Sequence, residues 1–236
     1  MESSFTSVII PAYNEAPAIS HVIGDIPNHL VNEVIVVDNG STDQTAKIAQ
    51  NHGAQVIFQP KRGYGNACLA GIANLNEKTE IVVFLDGDYS DDPHQIADFI
   101  KTIHQKKVDL VLGSRVKGIQ EARSLTVQQK FGNWLAVKLI KIFYGHEYTD
   151  LGPFRAIRRK KLEQLNLSDR TFGWTVEMQI KAIQLGFTVV EIPVDYRRRI
   201  GKSKISGTLS GTIKAGIKIL WTIGKLTLQH WLNKSG

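Results

Sequence analysis

The sequence predicts an α/β protein with a mostly parallel central sheet flanked by helices. Short apolar runs alternate with segments of helical length along most of the chain, which is the pattern of βαβ units with right-handed crossovers. The 236 residues, 42% of them hydrophobic, are enough for one sizeable core. We therefore expect one unit over residues 1–204, followed over residues 205–236 by a C-terminal amphipathic helix that belongs to the same unit or contacts a membrane.

Five runs rich in Val, Ile, Leu and Phe predict buried strands. In chain order they read SVIIPAY, EVIVVDNG, AQVIFQP, EIVVFLDG and DLVLGSR. The segment QTAKIAQNHG predicts a helix with Ser41, Thr42 or Asp43 as its cap. Gly53 ends this helix, and Pro93 lies in the first turn of a later one.

Charge is distributed unevenly along the chain. Residues 1–150 contain 13 Lys and Arg against 17 Asp and Glu, whereas residues 151–236 contain 16 against 5. The two parts are therefore expected to meet different ligands. Cys68 is the only cysteine, which excludes an internal disulfide and a thiolate metal cluster, and the start MESSFTSVII lacks a basic region followed by a long apolar stretch. We expect an intracellular protein.

Acidic residues follow three of the predicted strands. Glu15 follows the first, Asp38 ends the second, and Asp86 and Asp88 follow the fourth. Ligands of such sheets collect at the carboxyl ends of the strands, so these carboxylates are expected to face one crevice. Gly87 favours a turn that lets both Asp86 and Asp88 point into it. A divalent cation shared with the phosphates of a nucleotide would relieve their mutual repulsion.

Simpler interpretations stay open at this point. The acidic segment can be a solvated loop, in which Asp91 or Asp92 is predicted to cap the helix that begins near Pro93. Lys61 and Arg62 end the third strand beside the same crevice, where they would meet phosphate or remain a solvated pair. The segment RGYGNACLAG lacks the third glycine of a dinucleotide fingerprint, and no G-x-x-x-x-G-K-[ST] occurs. A nicotinamide cofactor and a P-loop are therefore not expected.

Eight blocks of the sequence, in order, resemble the signatures of family 2 glycosyltransferases. They are VIIPAYNE, VIVVDNGSTDQTAKIA, KRGYGNACLAGI, FLDGDYSDDP, VLGSR, DLGPFRAI, GWTVEMQIKA and EIPVDYRRRIGKSKISGT. The resemblance spans nearly the whole chain and is greatest to the dolichyl-phosphate mannose/glucose synthase-like branch. It implies a GT-A fold, a nucleotide-sugar donor, a Mg²⁺ or Mn²⁺ ion, and inversion at the anomeric carbon.

The resemblance also implies roles for individual residues. It implies nucleotide binding by Pro11, Tyr13, Glu15, Asp38, Arg62, Asp86 and Arg115. Asp86 and Asp88 match the metal-binding DxD motif, and the expected catalytic residues are Asp88, Glu177 and Arg199. Glu177 matches a carboxylate that faces the acceptor, where it could accept the acceptor's proton. If the acceptor is already a phosphate, no strong base is required and Glu177 only orients groups.

The basic segment YRRRIGKSK is expected to close on phosphate groups. It resembles an R-x-G-x-S-K element of the family, which singles out Arg199, Ser203 and Lys204 near the donor phosphates. Arg155, in the acceptor loop of the DLGPFRAI block, joins Ser203 and Lys204 as a candidate for acceptor phosphate. A nucleic-acid patch is the alternative for such a run. No aromatic platform or recognition motif accompanies it, so we expect no nucleic-acid partner.

Two further segments have the composition of membrane-interface helices. TIKAGIKILWTIGKLTLQHW places Lys214, Lys218 and Lys225 on one helical face, which predicts an amphipathic helix and not a membrane span. QQKFGNWLAVKLIKIFYG combines aromatic residues with lysines. The alternative is that both helices pack on the protein or on a second subunit, so homo-oligomerisation stays open.

Together these patterns predict a metal-dependent inverting glycosyltransferase. It would move a hexose from a UDP- or GDP-sugar to a polyprenyl phosphate, as a cytoplasmic protein peripheral at the inner face of the membrane. Gln128 and Gln129, however, occupy the region where relatives have an acceptor-binding arginine, and Gly152 and Pro153 depart from the SGFR of the acceptor loop. A glycosyltransferase with a soluble acceptor, a nucleotidyltransferase and a non-catalytic nucleotide-binding module are the alternatives.

Overall fold

One seven-stranded sheet forms the centre of the protein, as seen in a computed structural model that describes residues 4–122, 124–201 and 209–234. The strands are β1 (Thr6–Ala12), β2 (Glu33–Asp38), β3 (Gln55–Phe58), β4 (Ile81–Phe84), β5 (Leu110–Ser114), β6 (Arg155–Arg158) and β7 (Val189–Pro193). Their order across the sheet is β3-β2-β1-β4-β6-β5-β7, and within the described residues only β6 runs antiparallel to its neighbours. The predicted mostly parallel sheet is confirmed.

The five predicted runs form β1 to β5, whereas β6 and β7 lie outside the sequence prediction. β6 reads RAIR, so two arginines flank an apolar centre of only two residues. β7 reads VVEIP and is a partly exposed strand at the edge of the sheet. Neither strand has the continuous apolar run that a strand buried on both faces shows.

Helices cover both faces of the sheet. They are α1 (Ile19–Gly24), α2 (Thr45–Asn51), α3 (Tyr64–Ala73), α4 (Ile96–Gln105), α5 (Val127–Tyr144), α6 (Arg159–Gln164), α7 (Trp174–Gln184) and α8 (Leu209–Lys234). A 3₁₀ turn over Pro93–Gln95 leads into α4, and the side chain of Asp92 accepts a hydrogen bond from His94 N (3.1 Å). The helix predicted near Pro93 is therefore confirmed, with Asp92 as its cap. Asp91 does not cap it, because its side chain is buried instead.

The apolar core has two layers, one on each face of the sheet. On β1, Ile9 packs into the layer that contains Phe84 and Trp174, whereas Val8 and Ile10 pack into the opposite layer. Successive side chains of a strand point to opposite faces, so one strand contributes to both layers. This double burial explains why the parallel strands read as continuous apolar runs.

Helix α8 packs on α5 and α7 and carries apolar side chains on two faces. The packed face is buried and consists of Thr222, Ile223, Leu226 and Thr227. The other face is exposed and consists of Ile213, Ile217, Leu220, Trp221, Leu228, Trp231 and Leu232. The predicted C-terminal helix is present, but Lys218 is not simply solvated, because its Nζ lies 2.8 Å from Asp169 Oδ2. In the part of the chain that the structure describes, no helix has the length and apolarity to cross a membrane.

The predicted boundary between residues 204 and 205 lies outside the described residues. The described part of the C-terminal segment nevertheless packs on α5 and α7. Thr227 Oγ1 also donates a hydrogen bond to the Tyr144 hydroxyl (3.1 Å).

Two glycines bring the start of α3 against the loop before α7. A Cβ on Gly65 would lie 2.1 Å from Asp169 O, and a Cβ on Gly63 would lie 2.2 Å from Arg170 O. Gly63 also has φ +140°, which side chains rarely adopt. Both contacts are with backbone atoms, so no side-chain movement can make room. The approach of these two loops therefore depends on glycine.

We expect Gly65→Ala to lower the free energy of unfolding by about 1–3 kcal/mol, because the added methyl overlaps backbone. The measurement is urea unfolding followed by circular dichroism. Gly224→Ala is the matched control, since a Cβ there meets nothing within 4 Å in the interior of α8, and it should stabilise the protein slightly. Equal effects of the two substitutions would contradict the close approach.

Candidate functional site

A cavity of about 500 Å³ opens at the carboxyl ends of β1 and β4. The predicted site residues that line it are Pro11, Tyr13, Glu15, Arg62, Asp86, Asp88, Arg115 and Arg199. Residues of α5 and α8 form its other wall, among them Gln128, Gln129, Gly132, Asn133, Gly216 and Ile219. The cavity therefore joins the acidic strand ends to the two long helices, α5 and α8.

Tyr13 and Arg62 form a flat surface in this cavity. The guanidinium carbon of Arg62 lies 3.7 Å from the centroid of the Tyr13 ring. Arg62 Nη2 donates a hydrogen bond to Gly40 O (3.2 Å), which holds the guanidinium in place. A stacked aromatic ring and guanidinium present planar faces, which suit a nucleotide base.

Two residues at the end of β2 organise the surrounding loops. Asp38 Oδ1 accepts a hydrogen bond from Ser41 N (2.9 Å), and Asp38 is buried outside the cavity lining. Asn39, which the sequence reasoning missed, does line the cavity. Its Nδ2 donates to Lys61 O (2.8 Å), and its Oδ1 accepts from Gly63 N (2.8 Å). Asn39 thereby fixes the loop that carries Arg62, and only its place in the block VDNGSTD could have indicated this.

A turn at Gly87, which the sequence predicts, brings Asp86 and Asp88 to the cavity. Asp86 Oδ1 is buried and accepts no hydrogen bond from the described residues. Asp88 Oδ1 accepts from Ser90 N (2.9 Å) and Ser90 Oγ (2.5 Å), and its Oδ2 contacts the guanidinium of Arg199. Asp88 is therefore held on both oxygens, whereas Asp86 presents a buried acceptor.

Burial and mutual repulsion alter the protonation of this acidic turn. Burial, followed by the charge of Asp88, raises the pKa of Asp86 from 3.8 to about 7. Asp91 is 1% exposed, and neither of its carboxylate oxygens has a hydrogen bond within the described residues. Burial, with the charges of Asp86 and Asp88, raises the pKa of Asp91 well above its ordinary value. Its carboxyl group therefore stays protonated to a higher pH than that of an exposed aspartate.

Arg115 lines the cavity but is paired within the protein. Its Nε and Nη2 donate to the two oxygens of Asp150, each at 2.7 Å, and its backbone N–H donates to Asp150 Oδ2 (2.8 Å). This bidentate pair ties the end of β5 to the loop before β6. Asp150, 2% exposed, was not singled out from the sequence, where only the start of the block DLGPFRAI marks it.

Glu177 lies outside the cavity lining. It is 3% exposed, and its carboxylate accepts hydrogen bonds from Ser168 N (3.1 Å) and Asp169 N (2.7 Å). Lys181 Nζ lies 2.9 Å from the same group. In this structure Glu177 holds the loop before α7, and its role as a general base stays a prediction.

Arg155 is also outside the cavity lining and is fully buried. Its guanidinium donates to three backbone carbonyl oxygens, those of Gly152, Pro153 and Thr175. The side chain therefore holds the acceptor loop together, and its contact with an acceptor phosphate stays a prediction. The predicted phosphate residues Ser203 and Lys204 lie outside the described residues.

The carboxylates at the acidic turn suit a hard divalent cation bound together with a nucleotide. Within the described residues, no group of three or more His, Cys, Asp or Glu is arranged to hold a metal ion. Mg²⁺ is typically held by one or two carboxylates, with phosphate and water oxygens completing its shell. Asp86 and Asp88 can supply those carboxylates, and the buried Asp86 Oδ1 is an acceptor that a cation would satisfy. The residues present therefore fit such an ion.

The chain is similar in sequence to known glycosyltransferases. The family profile described as Glycosyl transferase family 2 matches residues 7–165. An uncharacterized glycosyltransferase of Mycobacterium tuberculosis is 35% identical over 91% of this chain and 96% of the relative. A dolichyl-phosphate hexose transferase of Haloferax volcanii is 32% identical, over 87% and 88% of the two chains. An undecaprenyl-phosphate mannosyltransferase of Micrococcus luteus is 29% identical, over 86% and 88%.

Solved structures share the fold. Glucosyl-3-phosphoglycerate synthase of Mycobacterium tuberculosis, in complex with Mn²⁺, UDP-glucose and phosphoglyceric acid, aligns with a TM-score of 0.76 at 22% identity. The alignment covers 95% of this chain and 80% of the synthase. A second complex, with Mn²⁺, UDP and glucosyl-3-phosphoglycerate, aligns with a TM-score of 0.74 at 23% identity over 94% and 80%. The expected GT-A fold is confirmed.

We expect Asp86→Asn to raise the Tm of the protein in the presence of a chelator at pH 8. The folded-state pKa of Asp86, about 7, lies above its ordinary value of 3.8. Ionisation of Asp86 therefore destabilises the folded state as the pH rises from about 4 to about 7. The Tm difference between variant and wild type should be near zero at pH 4 and several degrees, roughly 3 °C or more, at pH 8.

The measurement is thermal unfolding across this pH range. Asp98→Asn, on the exposed surface of α4, is the control. The Tm difference between this variant and the wild type should not increase with pH. A Tm difference for Asp86→Asn that is the same at both pH values would contradict the burial of an ionised carboxylate.

Proposed function

Because the chain belongs to glycosyltransferase family 2, in the dolichyl-phosphate mannose/glucose synthase-like branch, we propose that it transfers a hexose from a nucleotide-sugar to a polyprenyl phosphate at a membrane surface. One observation carries the proposal: a single cavity runs from Tyr13 and the Asp86–Asp88 turn to α5 and α8. The outer faces of these two helices are exposed and apolar.

The donor is proposed to bind along the strand ends. The Tyr13–Arg62 surface would receive the base, with Glu15 near the base or ribose. Asp38, which lies outside the cavity lining, would act through the loop that it holds at Ser41. The diphosphate would then lie near Asp86 and Asp88, the carboxylates that would hold the cation. The glucosyl-3-phosphoglycerate synthase that shares the fold is solved with Mn²⁺ and UDP-glucose, which supports a divalent cation and a nucleotide-sugar here.

The proposed reaction is a displacement at the anomeric carbon with inversion. An oxygen of the acceptor forms a bond to this carbon while the bond to the nucleoside diphosphate breaks, and the leaving group takes the electron pair. The bound cation would supply a Lewis acid that stabilises this leaving group. Arg199 lines the cavity beside Asp88 and is proposed to stabilise the same charge through its planar guanidinium.

A phosphate acceptor agrees with the position of Glu177. A phosphate monoester is already anionic at neutral pH, so it needs no general base. The carboxylate of Glu177 is occupied by Ser168, Asp169 and Lys181, outside the cavity lining. The relatives named as undecaprenyl-phosphate mannosyltransferase and dolichyl-phosphate hexose transferase support an acceptor of this class.

Contact with a membrane is proposed through α5 and α8. Besides the exposed face of α8, α5 exposes Val127, Phe131, Trp134, Ile142 and Phe143. Lysines accompany both faces, and Lys138 and Lys225 lie 4.9 and 5.2 Å from the rings of Trp134 and Trp221. Aromatic and aliphatic side chains with lysines at the border are typical of helices that lie in the membrane interface.

A soluble acceptor is the second candidate, and one observation favours it. On the α5 wall of the cavity, the described polar residues Gln128, Gln129 and Asn133 carry neutral amides. Neutral amides suit the hydroxyl groups of a small acceptor, whereas a phosphate favours a charged arginine or lysine. The synthase that shares the fold is solved with phosphoglyceric acid, a small soluble molecule.

We expect purified protein to transfer sugar from UDP-glucose or GDP-mannose to a short polyprenyl phosphate only when Mn²⁺ or Mg²⁺ is present. Asp88→Ala should lower turnover by about 10²-fold or more, because the leaving-group charge loses its stabilisation. Asp92→Ala is the control, since Asp92 caps a helix in the same acidic segment outside the cavity lining.

The products distinguish the candidates. A glycosylated lipid that depends on the cation supports the proposal. Release of nucleoside diphosphate without a lipid product would indicate that the acceptor is a soluble molecule. No reaction with either donor, or full activity of Asp88→Ala, would contradict a metal-dependent transferase.

We also expect the protein to bind vesicles that contain anionic lipid. The double variant Ile217→Ser/Leu228→Ser removes two side chains that are 63% and 59% exposed on α8, and it should weaken binding by about tenfold or more. Phe58→Ser removes a similarly exposed side chain on β3 and should bind like the wild type. Vesicle co-sedimentation measures both, and an unchanged affinity of the double variant would exclude this face.

A further inference from the structure

The segment around Arg199 is fastened along the acidic turn by backbone hydrogen bonds. Ile200 N donates to Asp88 O (3.0 Å), and Arg197 N donates to Ser90 O (2.8 Å). These two bonds hold the backbone of Arg199, which lies between them in the chain, beside Asp88. These bonds hold Arg199 within reach of this carboxylate and do not fix the rotamer of its side chain.

Arg199 contacts Asp88 through the carboxylate oxygen that Ser90 does not hold. Nη2 of Arg199 contacts Asp88 Oδ2, whereas Oδ1 is already held by the N–H and hydroxyl of Ser90. The Asp88 side chain is 5% exposed and the Arg199 side chain 28% exposed. Asp88 Oδ2 is thus the oxygen that remains for a ligand, and Arg199 is its present partner.

A divalent cation bound at Asp88 would need the same oxygen. A doubly charged ion and a guanidinium cannot both lie against one oxygen without strong repulsion, which is weakly screened in a partly buried site. The cation can therefore bind only if the guanidinium turns away from Asp88. A diphosphate in the cavity offers the guanidinium a new partner, because its oxygens match the fork of an arginine.

We propose that Arg199 competes with the divalent cation for Asp88 and that the diphosphate of the donor relieves this competition by binding the guanidinium. The inference rests on the proposed function of the same site and adds a reason for cation and nucleotide to bind together. Cation alone binds weakly, because it must displace Arg199. The displaced guanidinium then strengthens nucleotide binding.

The competition between Arg199 and the cation contributes to the coupling free energy between cation binding and nucleotide binding. By linkage, the nucleotide increases cation affinity by the same factor as the cation increases nucleotide affinity. Part of this factor comes from direct contact between cation and phosphate, and the remainder comes from Arg199. Removing the guanidinium eliminates only the second part.

The test is Mn²⁺ binding, measured by electron paramagnetic resonance of the free ion, with and without UDP or GDP. We expect Arg199→Gln to bind Mn²⁺ alone about tenfold more tightly than the wild type, a change of about 1.4 kcal/mol. The factor by which nucleotide increases Mn²⁺ affinity should fall by tenfold or more in the same variant. Arg199→Lys keeps the charge and should retain weak binding of Mn²⁺ alone.

Arg197→Gln is the matched control for loss of one positive charge. Arg197 is two residues away, pairs with Asp92 (2.8 Å), and is outside the cavity lining. It should leave Mn²⁺ affinity within about twofold of the wild type. An equal gain in Arg197→Gln, or no gain in Arg199→Gln, overturns the competition.

A further variant separates this inference from the proposed function. If Asp88→Asn abolishes Mn²⁺ binding and Arg199→Gln leaves it unchanged, the cation site stands and only the competition is overturned. If the Asp88→Asn variant binds Mn²⁺ as tightly as the wild type, the proposed cation site is wrong and the proposed competition is wrong with it.

Discussion

Negative charge concentrated after β4 is the constraint around which the site is arranged. Asp86, Asp88 and Asp91 lie within six residues of one another, and each has carboxylate atoms withdrawn from water. Buried carboxylates are costly unless they are neutral or paired. Burial and the neighbouring charges raise the pKa of Asp91, which stabilises its neutral form, and Asp88 contacts Arg199 from a distant part of the chain. The backbone bonds that fasten residues 196–200 to the turn bring the compensating charge into place.

The sheet could be predicted where burial on both faces makes a strand uniformly apolar, as in β1, β2, β4 and β5. The edge strand β3 could be predicted from the apolar run VIF alone, although Phe58 is exposed. β6 could not, because it begins with Arg155, whose charge argues against a buried strand. Its guanidinium is satisfied by two carbonyls of the loop before β6 and by one of α7, which come together only in the folded chain. The same reasoning separates Asp92 from Asp91. Both are acidic neighbours of Pro93 in the sequence, and only tertiary packing decides which one caps and which one is buried.

The sequence predicts which residues belong to the candidate site, but it does not predict the side chains with which they pair. The turn of Asp86 and Asp88 is a local pattern, so a short sequence block is enough to indicate it. Arg115 is equally recognisable, yet its partner Asp150 lies 35 residues further along the chain. Sequence spacing alone contains no signal for that pairing. Glu177 shows the same limit, because the loop residues that occupy its carboxylate precede its own helix.

The contact between α8 and Asp169 has a mechanical consequence. Lys218 binds the carboxylate of Asp169, and the carbonyl of that residue lies against Gly65. One short path of contacts thus runs from α8 to the first turn of α3, which follows Arg62 in the chain. Any force that lifts α8 from the protein must break this ion pair or pull the turn along with it. The position of α8 and the position of the segment that follows Arg62 are therefore linked through one residue, Asp169.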